Sequence, residues 1–425
     1  MSIFFRTAIY KIRACSMKDG MLFSLFSFIN RGFSFLLLLI LANYIAPAEY
    51  GYLGLFSTVL MVIGFFMAMS TEGYMSVAFF KEGELGVKRT YSFIFYLAIL
   101  MALLFVIILL SGGERLSQML ELSQTVLFLT VAIAFLTVFA NVNLDYLRLK
   151  EQIKPYGLLS CGNALMNFVL SILLVKYCGL GWIGRVWAQL WCFLLFGIGS
   201  ILFFYRKKMV VKVPINYCKG ILLWGLPLIP HLAANFFRQG CDRYIVNNYH
   251  TIEAVGLFSF ALNLTNVIVM VGAGFNQSNS VLLYKILGDK EIAELDKKAK
   301  IEKIVKSNIL IYVILTLFIV VCMDLLVPFF LPKYAGSLIY FNILGIYGLL
   351  QCLYFIYSNF LFFYNKTKEI MYITFCSSLF HLSLSLLLTR YSLIYTCIVY
   401  AISQFLIIYI LRRYSIKIFN SNIIK

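Results

Sequence analysis

Charged side chains inside long apolar stretches are the residues of this sequence with the most chemistry to offer. Arg31 stands near the middle of the first such stretch, and Arg238, Asp242 and Arg243 stand together in the seventh. A charge near the centre of a bilayer costs at least about 2.5 kcal/mol, so it usually faces a cavity, water or a partner. These four residues are therefore the first candidates for a functional site.

The spacing of the charges suggests how they are compensated. Arg238 and Asp242 are four residues apart, which places both on one face of an α-helix. We predict that Asp242 pairs with Arg238 or Arg243, because an isolated carboxylate at this depth is costly. Arg31 has no acidic residue three or four positions away, so its charge must be met by another helix, by water or by an anionic ligand. We predict that Arg31, Arg238 and Arg243 line a substrate cavity.

Three further acidic residues, Glu72, Asp145 and Asp324, lie near the ends of predicted membrane spans. Together with Asp242 they are candidates for an ion-coupling site or for structural pairs. Positions near a helix end allow access to water, which favours the structural interpretation for the first three.

Amide side chains are also clustered in the apolar stretches. Such groups either hydrogen-bond to sugars or hold helices together in lipid, and for any single residue we favour the second role. The clusters are Asn141 with Asn143, Asn163 with Asn167, Asn263 with Asn266, and Asn276 with Gln277 and Asn279.

No pattern of an enzyme active site accompanies these residues. The 10 cysteines include no CxxC pair, the 3 histidines are scattered, and no GxxxxGK[ST] phosphate-binding loop occurs. We therefore expect no catalytic residue, no metal, no cofactor and no enzymatic activity.

Composition places these residues in a membrane protein, because 62% of the 425 residues are hydrophobic and only 13% are charged. A bilayer-spanning helix needs about 20 apolar residues, and the sequence predicts an all-α integral membrane protein with about twelve such helices. The first is too long for a signal peptide and should be retained. The predicted spans are 21–43, 52–78, 91–111, 123–147, 156–178, 182–205, 220–247, 254–284, 308–331, 336–363, 369–389 and 391–411.

The distribution of basic residues predicts the orientation of these spans. If both termini are cytoplasmic, most of the 36 lysines and arginines lie on the cytoplasmic side, as the positive-inside rule requires. We expect a bacterial inner-membrane location, and no nucleic-acid partner, because topology accounts for the net charge of +18. The predicted outer loops hold only Arg115, Lys176, Arg185, Lys333 and Arg390.

A weak internal repeat suggests two halves. Residues 43–51 and 248–256 each contain Asn-Tyr with the Tyr seven residues before a Gly, and each has a Glu shortly before that Gly. We predict an N-terminal six-helix lobe (1–205), a cytoplasmic linker (206–219) and a C-terminal six-helix lobe (220–425). Duplicated halves are typical of transporters. Segment 285–306 is either a helix on the inner membrane surface or a solvated linker.

A family resemblance is carried by the segments Tyr44–Gly51, Glu151–Tyr156, Asp242–Ile245 with Glu253–Gly256, Leu331–Ala335 and Asn365–Lys368. They resemble polysaccharide repeat-unit flippases of the O-antigen type, within the multidrug/oligosaccharidyl-lipid/polysaccharide exporter superfamily. The resemblance implies two pseudo-symmetric, MATE-like six-helix lobes around a central cavity. It also implies alternating access and a substrate of a few sugars on undecaprenyl pyrophosphate, in lipopolysaccharide or related polysaccharide biosynthesis. Implied partners are this lipid-linked glycan, membrane lipids, a polysaccharide polymerase and a chain-length regulator.

An ion-coupled multidrug or small-molecule antiporter of the same fold is the alternative. A cation exporter needs carboxylates deep in its lobes, whereas the first span offers Arg31 and the seventh has two arginines for one aspartate. This balance favours an anionic substrate. A membrane polymerase or glycosyltransferase would need a larger outer loop than residues 111–122.

Overall fold

The computed structural model describes residues 22, 25–26, 28–226, 234, 236–289, 293–364 and 366–423. Among these residues it contains helices and no strand. Ten described helices are long and apolar enough to cross a membrane. The prediction of an all-α, multi-pass membrane protein is confirmed.

The N-terminal half begins with a short apolar helix and continues with five long ones. The π-helical turn Leu173–Tyr177 extends the fifth helix, and a short seventh helix follows the sixth. The helices are α1 Phe28–Tyr44, α2 Pro47–Ala68, α3 Tyr74–Leu120, α4 Gln124–Leu149, α5 Ile153–Ile172, α6 Gly181–Arg206 and α7 Ile215–Gly225.

The C-terminal half begins with the π-helical turn Phe236–Gly240, which leads directly into a short helix. A 3-10 segment, Pro332–Ser337, precedes the fourth helix of this half. The helices are α8 Cys241–Tyr249, α9 Ile252–Gly288, α10 Glu294–Phe330, α11 Leu338–Phe363, α12 Thr367–Leu388 and α13 Leu393–Ile423.

Two of the twelve predicted spans cross residues outside the described set. Span 21–43 is described without gaps only from residue 28 onward, where it is α1, and span 220–247 lacks 227–233 and 235. The N-terminal residues 1–21, residues 290–292 of the segment 285–306, and Asn365 of the resembling segment also lie outside it.

The predicted boundaries around the second and third spans were wrong. Helix α2 ends at Ala68, a turn with Met69 and Ser70 at φ 45° and 59° follows, and α3 then extends from Tyr74 to Leu120. It bends at Gly83 and Gly112, whose backbone angles are not helical. Residues that were predicted as loops are helical here because lysine and glutamate are good helix formers and continue the helix into water. Hydropathy marks only where the apolar residues end.

The segment 285–306 is not a separate surface helix in its described part. Its residues Glu294 onward are the charged beginning of α10, which continues to Phe330 as one helix. Lysine and glutamate are good helix formers, so the spanning helix extends through the charged residues.

The chain divides into two compact units, and the second unit includes a short segment of the N-terminal half. One contains residues up to Ile45 and Val59–Ile229, and the other contains Ala46–Thr58 and Pro230–Lys425. The first turns of α2 thus belong to the second unit. Buried aromatic rings form the core of the first unit, where the rings of Tyr91 and Phe204 lie 4.2 Å apart.

The two junctions of the sequence repeat pack against each other inside the second unit. Gly51 and Gly256 are each the fifth residue of a helix, α2 and α9. A Cβ added at Gly256 would lie 1.7 Å from the carbonyl oxygen of Pro47, and one at Gly51 would lie 2.2 Å from that of Ile252. Only glycine allows this close approach, which gives the glycines of the repeat a physical role.

Candidate functional site

The second unit contains a buried polar cluster centred on Asp242. The side chains of Asp242 and His381 are both 0% exposed, and His381 Nε2 lies 2.7 Å from Asp242 Oδ2. Ser385 donates a hydrogen bond to the other carboxylate oxygen. The carboxylate is therefore compensated on both oxygens, as a buried charge requires.

Three helices supply this cluster. Asp242 is the second residue of α8, His381 and Ser385 stand four apart on α12 and so share a face, and Ser403 approaches from α13. His381 Nδ1 lies 3.0 Å from Ser403 Oγ, and the ring of Tyr400 packs edge-on against the imidazole at 4.7 Å. Asp242 was predicted as a candidate, but its partner lies 139 residues away and no local pattern signals it.

The predicted pairing of Asp242 with Arg238 or Arg243 was wrong. Arg238 lies in the π-helical turn Phe236–Gly240, which immediately precedes α8. Both oxygens of Asp242 are occupied by His381 and Ser385 of α12. Arg238 instead donates to Gln404, and its guanidinium lies 5.7 Å from the ring centroid of Tyr347.

Arg243 is held by hydroxyl groups within the same unit. Its Nε donates to Ser259 Oγ at 3.2 Å and its Nη1 to Thr58 Oγ1 at 3.3 Å. No acidic side chain among the described residues forms an ion pair with it. The side chain is thus fixed in position while its charge is not cancelled by a direct contact.

The cluster can hold a proton without movement of its heavy atoms. Ser403 Oγ lies within hydrogen-bond distance of both His381 Nδ1, at 3.0 Å, and the carbonyl oxygen of Tyr400, at 3.1 Å. With a neutral ring, the hydroxyl donates to Nδ1. With an imidazolium, the ring donates through both nitrogens and the hydroxyl turns to the carbonyl. Rotation of one hydroxyl therefore accommodates both protonation states.

A row of hydroxyl groups leads from Asp242 towards the end of α12. Ser385 Oγ lies 3.3 Å from Thr389 Oγ1, which lies 2.8 Å from Thr396 Oγ1. His250 Nε2 lies 2.7 Å from the carbonyl oxygen of Thr389. Hydroxyls that both donate and accept can pass a proton along such a row.

The first unit contains a cavity of about 560 Å³ whose lining combines polar and apolar side chains. Helices α1, α2, α4, α5 and α6 supply its walls. Amides are the most frequent of its polar groups, and Gln189 Oε1 is buried with no hydrogen-bond partner among the described residues. The polar lining consists of Asn30, Ser34, Glu72, Thr137, Asn141, Ser160, Asn163, Asn167, Arg185 and Gln189.

Arg185 is a lining residue that sequence reasoning missed. It was assigned to an outer loop, but it is the fifth residue of α6, where its Nη1 donates to Asn167 and to Ser171 Oγ. Gln189 follows four positions later on the same face. An arginine four residues before a glutamine in an apolar segment was the available signal.

Glu72 lies in the turn between α2 and α3 and contributes a carboxyl group to this cavity. Burial raises the pKa of the Glu72 carboxyl above its usual range, with a smaller contribution from Asp145 in the same direction. A protonated carboxyl can both donate and accept hydrogen bonds.

The amide clusters divide between the two predicted roles. Asn141, Asn163 and Asn167 line the cavity. By contrast, Asn143 donates to Ser200, Asn263 to the hydroxyl of Tyr50, and Asn359 to Asn276. The second group holds helices together.

The remaining candidates occupy separate places. Arg31 is exposed on α1 and makes no ion pair with any described residue, and it is not among the residues lining the cavity. Asp145 pairs with Arg148 at 2.7 Å near the end of α4. Asp324 Oδ1 on α10 is buried and has no hydrogen-bond partner in the described part of the chain.

Residues from three of the resembling segments meet in the second unit. The buried rings of Tyr50 and Tyr334 lie 5.6 Å apart, and each packs on Phe260. Arg243 lies close to the same helix start, where a Cβ at Gly54 would be 3.2 Å from its Cδ. The segments that carry the resemblance therefore build one packing core.

Comparison with known proteins gives two family matches. The model of the family described as "Polysaccharide biosynthesis protein" matches residues 16–281, more than half of the chain. The MatE family model matches residues 227–387.

Curated relatives come from Haemophilus influenzae. Protein 1 of the Lsg locus is 23% identical over 384 residues, which cover 88% of this chain and 91% of that protein. A second protein, described as an uncharacterized membrane protein, is also 23% identical, over 86% of this chain and 88% of its own.

Solved structures share the fold. An inward-facing MATE-family multidrug transporter of the MOP superfamily aligns with a TM-score of 0.72 at 14% identity, over 90% of this chain and 95% of its own. The lipid II flippase MurJ, in an inward closed conformation, aligns with a TM-score of 0.71 at 17% identity, over 93% and 87%. Both similarities concern the fold. The chain belongs to the family described as "Polysaccharide biosynthesis protein" and shares its fold with the MATE transporter and with MurJ.

Proposed function

We propose that this protein is a flippase for oligosaccharides linked to undecaprenyl pyrophosphate, such as O-antigen or related repeat units. It moves them from the cytoplasmic to the periplasmic leaflet by alternating access. A polysaccharide polymerase and a chain-length regulator would act on the product.

The amide-lined cavity of the first unit is the observation that carries this proposal. Asn141 is exposed to the cavity and Gln189 has a buried acceptor without a partner among the described residues. Sugars present many hydroxyls, which hydrogen-bond equally well to amide donors and acceptors. A hydrophobic drug would leave these amides unpaired, at a cost of about 1–3 kcal/mol each.

Arg31 is proposed to bind the anionic end of the substrate. An arginine at this position on an apolar helix needs an anion or water, and none of the described acids pairs with it. A guanidinium can grip phosphate oxygens through two hydrogen bonds. Arg238 and Arg243 are proposed to support the same task through their positive charge.

The pair Asp242–His381 is proposed as the site that couples transport to an ion gradient, and the ion is proposed to be a proton. The support is that Ser403 can accommodate both protonation states of the ring. Hard metal cations prefer a shell of oxygen ligands, whereas here an imidazole nitrogen occupies one side of the carboxylate.

The inner-membrane location and the cytoplasmic termini complete the proposal. Reporter fusions after Lys154, Lys208 and Lys368 should be cytoplasmic, and a fusion after Gly179 should be periplasmic. Two reversed sites would overturn this topology.

The ion-coupled multidrug antiporter is the second candidate, and the MatE match over residues 227–387 favours it. It predicts that drug resistance falls when the gene is deleted, with no change in surface polysaccharide. The flippase proposal makes the opposite prediction.

The proposal is tested by deletion and complementation. Without the gene, lipid-linked repeat units should accumulate on the cytoplasmic side and surface polysaccharide should disappear.

The double variant Asn141→Leu/Gln189→Met should reach normal abundance and restore about a tenth of the polysaccharide or less, since each lost hydrogen bond costs about 0.5–1.5 kcal/mol. The control variant Asn248→Ala changes an exposed amide away from this cavity and should complement fully. Full complementation by the double variant would refute the role of the cavity.

A further inference from the structure

A second cavity, of about 510 Å³, lies in the second unit between the beginning of α10, the end of α11 and the end of α13. The described residues that form it combine a basic edge with an apolar wall. They are Lys298, Ile301, Glu302, Val305, Lys306, Ile309, Tyr357, Phe360, Arg412, Ser415, Ile416 and Phe419.

The pattern of α10 explains this combination. One row of side chains on α10, spaced by four residues, consists of Lys298, Glu302 and Lys306. An adjacent row with the same spacing consists of Ile301, Val305 and Ile309. Both rows lie on the same side of the helix. One helix face therefore presents two ammonium groups beside a strip of branched apolar side chains.

The wall of the cavity is part of the hydrophobic core of this unit. Ile301, Phe360 and Phe419 are buried and belong to one cluster with Leu361 and Leu411. This packing makes the wall a fixed apolar surface. Such a surface next to lipid is complementary to an acyl chain.

The edge carries an uncompensated positive charge. Lys298, Lys306 and Arg412 are exposed, and within the described ranges no acidic group lies within 4.0 Å of any of them. Glu302 is the single acid in the lining. Because the lining has three positively charged side chains and one negatively charged side chain, it favours a ligand with a phosphate group.

The depth in the membrane fits the same ligand. The charged part of α10 ends at Lys306, and the apolar part that crosses the membrane follows. The cations thus lie at the level of lipid headgroups, and the apolar wall extends from there. The predicted topology places this end in the cytoplasmic leaflet, where anionic lipids attract basic residues.

We propose that this cavity is a binding site for an anionic phospholipid of the phosphatidylglycerol type. Its phosphate contacts Lys298, Lys306 and Arg412, and one acyl chain lies along Ile301, Val305 and Phe419. The bound lipid joins the beginning of α10 to the end of α13. This inference does not depend on the identity of the transported substrate.

The test uses the purified full-length protein in a neutral detergent and measures retained lipid by native mass spectrometry and thermal unfolding. Phosphatidylglycerol should bind and raise the unfolding midpoint, and phosphatidylcholine should do neither. The variant Lys298→Gln/Lys306→Gln/Arg412→Gln should lose affinity for phosphatidylglycerol by about tenfold or more. The matched control Lys300→Gln/Lys303→Gln/Lys417→Gln removes three charges from the same two helices outside the cavity and should bind as the wild type does.

Several results would overturn the proposal. Equal loss in both triple variants would mean that overall charge attracts the lipid, and equal binding of the two phospholipids would mean that the cavity does not recognise the headgroup. If the first variant does not fold, the wild type still decides the matter, because binding that is unchanged at high salt would exclude a charge-based site. Displacement of phosphatidylglycerol by stoichiometric undecaprenyl phosphate would assign the cavity to the polyprenyl substrate instead.

Discussion

His381 Nε2 and Asp242 Oδ2 lie 2.7 Å apart in the core of the second unit, and neither side chain is exposed. The carboxylate faces either a neutral imidazole or an imidazolium, and the two states differ by one proton. The surrounding hydroxyls of Ser385 and Ser403 satisfy both states. The pair therefore has two roles: it stabilises the unit, and it is the proposed site that couples transport to an ion gradient.

Substitutions at Asp242 should separate these two roles. Asp242→Asn keeps the shape and a hydrogen-bond acceptor for Ser385, so we expect protein abundance near normal and loss of gradient-driven transport. Asp242→Leu removes the partner of His381 Nε2 and the carboxylate acceptor of Ser385, and it should lower stability by about 3–5 kcal/mol. Abundance by immunoblot and transport in proteoliposomes with an imposed pH gradient measure the two effects. Normal gradient-driven transport by Asp242→Asn would contradict the coupling role.

The contact of Gly256 with Pro47 should be intolerant of any side chain. The added Cβ in Gly256→Ala would lie 1.7 Å from a backbone oxygen, so the helices must separate, at a cost of about 1–3 kcal/mol. Gly274, in the same helix α9, has no atom within 4 Å of the corresponding position. Gly274→Ala should therefore leave the thermal unfolding midpoint unchanged or raise it slightly, by about 0.5–1 kcal/mol in free energy. If both variants unfold at the same temperature, the close approach of α2 and α9 is not a constraint.

Glu72 should make stability depend on pH. Burial raises its pKa in the folded chain, so its contribution is fully present below the usual glutamate range. That contribution is lost as the pH rises through the raised value. The glutamine in Glu72→Gln cannot ionise. Between about pH 4 and pH 8, the unfolding midpoint of this variant should therefore decline less than that of the wild type. The exposed Glu253→Gln is the control and should follow the wild type. A steeper decline in Glu72→Gln would show that the ionised carboxylate is the stabilised form.

The sequence predicted the spans because hydropathy is a local property, and ten of the twelve predicted spans appear as long described helices. It could not predict where α3 begins and ends, since charged helix formers continue the helix into the predicted loops. It identified Asp242 from its depth but not His381, because their contact depends on the packing of α8 on α12. The predicted pairing with Arg238 was wrong because both oxygens of Asp242 bond to His381 and Ser385 of α12.

The roles of the polar groups also depend on helix packing, which local sequence does not show. Spacing grouped Asn141 with Asn143 but did not show that Asn141 lines the cavity whereas Asn143 bonds to Ser200. Arg185 was missed because a basic residue near the edge of an apolar stretch is normally a topology signal. Its role as a lining residue follows only from the packing of α6 on α5.

Arg31 gives the most direct test of the central claim, which is transport of an anionic lipid-linked glycan. The measurement is the rate at which purified protein in liposomes moves a labelled undecaprenyl-pyrophosphate oligosaccharide between leaflets. Arg31→Lys keeps the charge without the planar fork, Arg31→Ala removes both, and Arg31→Glu repels the pyrophosphate. We predict rates in the order wild type, Lys, Ala, Glu, with equal amounts of folded protein. An Arg31→Glu protein that flips the glycan at the wild-type rate would contradict the account.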